Sequence, residues 1–218
     1  MDPTDVEKQA AARSAAELVE SGMVVGLGTG STVAFLLEAL AERSLDITCV
    51  STSPRTEEIA RRLGLEVRSF EGLDGIAHLD IAVDGADQVD PDGWIIKGGG
   101  AAHTREKCVA AAADRFIVIV SADKLVDTLT PPLPLELMNF GLAATLRELG
   151  DVRLREVPRS PDGGVIADWF GPLEDPSAVA LALAQTPGVI DHGLFPPAMT
   201  ERVVVAEGTA TRHILIGS

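Results

Sequence analysis

The sequence predicts an α/β protein: a doubly wound, mostly parallel sheet with helices on its faces, carrying a smaller α+β insertion towards the C-terminus. Three observations carry this expectation. Over the first 130 residues, short β-branched runs alternate with helical patterns at the spacing of successive βαβ units. At residues 130–137, TPPLPLEL, three prolines mark a junction. Beyond it the pattern changes to βαββαβ, the order of a ferredoxin-like split unit. Two late apolar runs, RVVVAEG and HILIGS, then read as strands that rejoin the first sheet. The expected boundaries are 1–130 plus 202–218 for the main domain and 131–201 for the small one.

Residues 5–21 carry a helical pattern, with Val6, Ala10, Leu18 and Val19 among its apolar positions. MVVGLG (23–28) reads as a buried strand, followed by a Gly-Ser-Thr turn and a helix through VAFLLEALAER. ITCVST is a second strand, and PRTEEIARRLG a helix that Gly64 stops. LEVRSF, LDIAVDGAD and WIIKGGG supply three more strands, AAHTREKCVAAAA a helix, and RFIVIVSADK a sixth, strongly apolar strand. In the small domain the expected order is strand LPLEL, helix FGLAATLREL, strand VRLREV and a turn around SPDGG. Strand VIADWF, helix PSAVALALAQ and strand GVIDHGLF complete it.

Composition removes several function classes. Apolar residues make up 46% and charged residues 23%, a globular balance, and no run approaches the ~18 apolar residues of a membrane span. The formal charge of −15 argues against nucleic acid, whose phosphates need clustered Lys and Arg. A phosphorylated ligand must then be held by a local device, such as helix-start N–H groups or a few placed lysines. Cys49 and Cys108 form no C-x-x-C pair and are expected as buried free thiols. The acidic N-terminus is unlike a signal peptide, so a cytoplasmic location follows. The histidines His78, His103, His192 and His213 lack metal-ligand spacing, so no metal site is expected.

Four segments carry chemistry. GLGTGST (26–32) joins a strand to a helix, and the N–H groups and hydroxyls of Thr29, Gly30, Ser31 and Thr32 suit an anion. A dinucleotide fingerprint competes, but Ser31 stands at its third glycine. The second strand ends in Ser51-Thr52-Ser53 without an acidic residue, and Asp46 precedes that strand. A structural turn is the remaining alternative. DGAD (84–87) follows an apolar strand, so Asp84, Gly85, Ala86 and Asp87 line either a ligand crevice or a solvated turn. In KGGGAAHTREK (97–107), Lys97 ends a strand and Gly98, Gly99 and Gly100 leave their N–H groups exposed. Glu106 then falls in the early turns of a helix, where the dipole favours its ionised form. That set suits proton abstraction beside a carbonyl, with the donors holding the enolate oxygen; a glycine turn before a surface Glu–Lys helix is the alternative. SADK (121–124) adds Lys124 after the sixth strand. All four strand ends are expected on one rim.

Taken in order, GLGTGST, STS, VDGAD, IKGGGAA-TREK, SADK, PLPLEL and PGVIDHGLF resemble the ribose-5-phosphate isomerase A family over nearly the whole chain. The resemblance implies a Rossmann-like main domain with a small ferredoxin-like domain, no cofactor, and a homodimer or homotetramer. It implies a sugar phosphate as the small-molecule partner, interconverted between ribose 5-phosphate and ribulose 5-phosphate. It makes Glu106 the proton-transferring base and places Thr29–Thr32, Asp84–Asp87, Lys97–Gly100 and Lys124 as substrate binders. Asp84 is the candidate for assisting ring opening, and Lys97 joins the glycine N–H groups in stabilising the oxyanion. Three residues depart from the family pattern: His103 within GGGAA-TREK, Gln88 where glutamate commonly follows DGAD, and Asn139 where a proline is usual. Two other classes stay open, a sugar-phosphate-sensing domain without turnover and a CoA-transferase-like enzyme.

Overall fold

The computed structural model describes residues 2–216. In chain order its elements are α1 (Pro3–Ala16), β1 (Val24–Leu27), α2 (Ser31–Glu42), β2 (Thr48–Ser51), α3 (Pro54–Arg62), β3 (Glu66–Val67), β4 (Ile81–Gly85), β5 (Gln88–Val89), β6 (Ile95–Ile96) and α4 (His103–Ala111). There follow β7 (Phe116–Ser121), β8 (Leu133–Leu137), α5 (Leu142–Leu149), β9 (Val152–Leu154), β10 (Val165–Trp169), α6 (Pro176–Gln185), β11 (Val189–His192), β12 (Leu194–Phe195), β13 (Arg202–Glu207) and β14 (Ala210–Leu215). Three helices begin alike. Asp2, Ser53 and Asp175 each accept an N–H from the first turn, and a proline with its preset φ follows each.

Two compact units result. The first comprises the described residues 2–86, 105–124 and 198–216. Its sheet runs β3-β2-β1-β4-β7-β13 with all pairings parallel, and β14 closes the edge antiparallel to β13. Strand order reverses between β1 and β4, as in a doubly wound fold, and that reversal opens a crevice at the strands' C-terminal ends. β7 is buried at every residue, which is why FIVIVS shows no polar alternation. Fully buried Ile117 and Ile119 each contribute about 1.5–3 kcal/mol relative to an exposed side chain. α1 packs on α2 and β7, and its buried residues are all alanines.

The second unit comprises Asp87–Thr104 and Leu125–Pro197. Its four-stranded antiparallel sheet runs β11-β8-β10-β9, and β8-α5-β9-β10-α6-β11 is the βαββαβ order expected. Leu133, Leu135, Leu137, Ala167, Leu183 and Leu194 belong to its core. A three-stranded antiparallel sheet, β12-β6-β5, completes it.

That small sheet corrects two expectations. WIIK is no member of the parallel sheet: β6 pairs with β5 and β12, so residues 87–104 go with the second unit. A short apolar run looks the same in either kind of sheet, so its pattern could not decide. GVIDHGLF is two strands rather than one, because the chain breaks at Gly193, where a Cβ would lie 2.2 Å from the Lys97 carbonyl oxygen. Among the described residues, no helix is long and apolar enough to cross a membrane.

Candidate active site

The first unit gathers its candidate residues at the C-terminal ends of β1, β4 and β7, which are neighbours in the sheet. After β1 the chain turns sharply, and Gly30 (φ 125°) sits directly before α2 without a side-chain cap. Gly30 and Ser31 are exposed there and Thr32 is half-buried, so the uncapped first turn of α2 faces solvent. Asp84, buried at 3% exposure, is the penultimate residue of β4 and lies against this turn. Its Oδ1 accepts the N–H of Thr29 at 3.1 Å and of Gly85 at 2.7 Å. A Cβ on Gly28 would lie 1.9 Å from the Asp84 carboxyl carbon, so only glycine lets the aspartate approach. The Thr29 hydroxyl is engaged with that of Thr52 at 2.7 Å, and Thr56 donates to the Gly28 carbonyl. Gly85 and Ala86 are half-buried beyond Asp84.

Glu106 is buried at 4% exposure in the first turn of α4. Lys124 closes a single 3-10 turn after β7, its Nζ 3.0 Å from Asp123 Oδ2. The hydrogen bond from Ser121 holds the Asp123 carboxyl below its ordinary range, with Lys124 adding to the effect.

In the second unit Lys97 is buried at 3% exposure, and its ammonium lies 5.6 Å from the centre of the Phe195 ring. Gly98 takes φ 110° and is crowded: an added Cβ would meet Pro134 at 2.7 Å and His103 Nδ1 at 2.8 Å. His103 is therefore fully buried against the glycine turn rather than directed away from it. Gly99 and Gly100 are exposed, and the exposed Asp87 accepts the Gly99 N–H at 2.8 Å. Thr104 and Ser160 both donate to buried Glu136.

Gln88 explains itself, since its amide answers both sides of one residue: Nε2 donates to the Thr130 carbonyl and Oε1 accepts the Thr130 N–H, each at 2.8 Å. An ionised glutamate has no donor for the first of these. Asn139 Oδ1 accepts from Arg159 at 2.9 Å. The rim of the parallel sheet carries three of the four expected strand ends, because β6 belongs to the other sheet.

The model of the family described as ribose 5-phosphate isomerase A (phosphoriboisomerase A) matches residues 48–210. The chain belongs to the ribose 5-phosphate isomerase A family. A ribose-5-phosphate isomerase A from Caulobacter sp. (strain K31) is 47% identical over 206 residues, covering 88% of this chain and 90% of the relative. Among solved structures, ribose 5 phosphate isomerase A from Neisseria gonorrhoeae superposes with a TM-score of 0.91 at 31% identity, covering 99% and 98% of the two chains. A D-ribose-5-phosphate isomerase in complex with phospho-erythronic acid gives 0.88 at 34% identity, covering 95% and 97%. Membership of this isomerase family supports neither rival class. A DeoR C terminal sensor domain model does match residues 4–67, the stretch from α1 to β3 that includes the GTGST turn.

Within the family framework, sequence reasoning passed over Phe195 beneath Lys97, Thr52 beneath Thr29, and Arg155, which reaches the glycine turn. Thr52 and Phe195 fall inside the STS and PGVIDHGLF segments without a chemical role attached to them, and Arg155 lies in no motif. The only signal for Phe195 was its place at the end of GVIDHGLF.

Proposed function

We propose that the chain interconverts D-ribose 5-phosphate and D-ribulose 5-phosphate without a cofactor, through a cis-enediolate, with Glu106 as the base. Open-chain ribose 5-phosphate carries an acidic C2–H beside the C1 aldehyde. Glu106 takes that proton; the C–H electron pair forms the C1–C2 double bond, and the carbonyl pair moves onto O1. A proton passes from O2 to O1, O2 collapses to the ketone, and Glu106 returns its proton to C1. The glycine N–H groups and Lys97 stabilise the oxyanion. Asp84, held rigidly by two N–H groups on one oxygen, assists opening of the furanose, and Asp87 positions hydroxyls. Thr29–Thr32 and Lys124 bind the remainder of the sugar phosphate.

The observation that carries this reading is Glu106 itself, a buried carboxylate in the first turn of the helix that the three glycines precede. The same proposal places the chain in the cytoplasm as a homodimer or homotetramer, the latter readable by light scattering. The test is turnover of ribose 5-phosphate in deuterated water. Ketose forms with deuterium at C1, and dialysis against a chelator leaves the rate unchanged. Absence of ketose, or activity restored only by an added metal, overturns the reading.

A further inference from the structure

Arg155 lies one residue beyond β9. Its guanidinium makes a two-pronged ion pair with Asp168 of β10, Nε to Oδ2 at 2.9 Å and Nη2 to Oδ1 at 2.6 Å. The two side chains are only 17% and 20% exposed. Sheet register explains the pairing. The Arg155 N–H donates to the Ile166 carbonyl, so Asp168 is its diagonal neighbour two residues along, within reach of a long side chain. The remaining nitrogen, Nη1, donates to the Gly98 carbonyl at 2.8 Å and to the Gly99 carbonyl at 3.3 Å.

A trans peptide points its C=O and N–H in opposite directions. Holding the Gly98 and Gly99 carbonyls on Arg155 therefore sets where the N–H groups of Gly99 and Gly100 point. The Gly99 N–H is met on the far side by Asp87 Oδ2, so the peptide between Gly98 and Gly99 is gripped by a cation at one end and a carboxylate at the other. Glycines impose little backbone preference of their own, and this turn needs such a grip to hold one orientation. Positive charge on the carbonyl oxygens also polarises both peptides and strengthens their N–H donors. Lysine, a point charge on a flexible stem, cannot hold the carboxylate and both carbonyls in one fork.

We propose that Arg155 is a positioning residue for the isomerisation. Braced by Asp168, it fixes the Gly98 and Gly99 carbonyls so that the Gly100 N–H stays aimed as a donor to the enediolate oxygen. It acts through the turn and touches no substrate. The proposal rests on the role given to the glycine turn under Proposed function.

The experiment compares Arg155→Lys, Arg155→Met and Lys97→Ala in kcat, KM, melting temperature and affinity for phospho-erythronic acid, whose carboxylate stands in for the enediolate oxygens. Both Arg155 variants are expected to lose about ten- to a hundredfold in kcat, the scale of a displaced reacting group, with KM within about twofold. Affinity for phospho-erythronic acid falls by the same factor as kcat/KM. Wild-type kcat in Arg155→Lys overturns the proposal whatever its melting temperature, as does a loss carried wholly by KM. If Arg155→Met fails to fold, Arg155→Lys decides. Wild-type kcat in Arg155→Lys beside an impaired Lys97→Ala removes the clamp alone; wild-type kcat in Lys97→Ala as well removes the reading of the turn itself.

Discussion

Glu106 and Cys108 stand two residues apart on α4 and meet opposite surroundings, as residues about 200° apart around a helix do. Glu106 is buried, whereas Cys108 is exposed, against the expectation that both thiols are inside. The local pattern around Cys108, alanines and a valine, gave no sign of which side faces solvent. Cys49 is buried as expected, and burial pushes its thiol up to about 12, with Glu66 adding to the shift. Native protein should therefore give one thiol to a thiolate-selective reagent at neutral pH and two in denaturant, read by mass spectrometry. Two fast thiols in the native state would contradict the burial of Cys49. For Glu106→Gln, size and hydrogen-bonding capacity are kept while the ability to accept a proton is lost. The expected loss is about 10²- to 10⁴-fold in kcat, the usual contribution of a general base, with substrate still bound and the melting curve preserved. Near-normal turnover with a normal KM would move the role to Asp84.

At the scale of elements, the turn from β1 into α2 depends on Gly28 as much as on the residues that face a ligand. Gly28→Ala forces Asp84 back from Thr29, since no Cβ fits at 1.9 Å. Overpacking of that kind costs about 1–3 kcal/mol, and kcat/KM should fall together with stability. A variant with unchanged melting temperature and activity would show that Asp84 relaxes freely. This turn was legible in the sequence because strand, glycines and helix follow one another within nine residues, Val24 to Thr32. β7 and the βαββαβ order were legible for the same reason, each being a local pattern with clear punctuation. β6 was not, since two apolar residues fix neither sheet nor direction. Arg155 was illegible altogether. Besides Asp168, its partners are carbonyls of residues 56 and 57 positions earlier in the chain, and a carbonyl leaves no mark on residue identity.

Over the whole molecule, the starts of β7 and β13 are tied by Arg115 and Glu201, Nε to Oε2 at 2.7 Å and Nη2 to Oε1 at 3.1 Å. The hydrogen bond from Arg115 holds the Glu201 carboxyl below its ordinary value of 4.5. A depressed carboxylate stabilises the fold fully above the unfolded value and loses that contribution as pH falls through the folded one. Glu201→Gln should therefore lower the melting temperature most above about pH 4.5 and flatten its fall below that value, where the wild type loses the same contribution. An unchanged acid limb would show that the pair is screened by solvent, as it is about one-third exposed. The strand so tied, β13, is the partner of β7, yet 80 residues of chain separate the two. A ribosome makes FIVIVS long before RVVVAE, and in that interval a strand built to be buried along its whole length has one edge unpaired. The nascent chain is thus at its most sticky while the second unit is being synthesised, and chaperone holdases are expected to engage it there and let go once β13 emerges. A chain ended after Pro197 should consequently sediment with aggregates; a soluble fragment with a cooperative melt would mean that β4 and the helices shield β7 unaided.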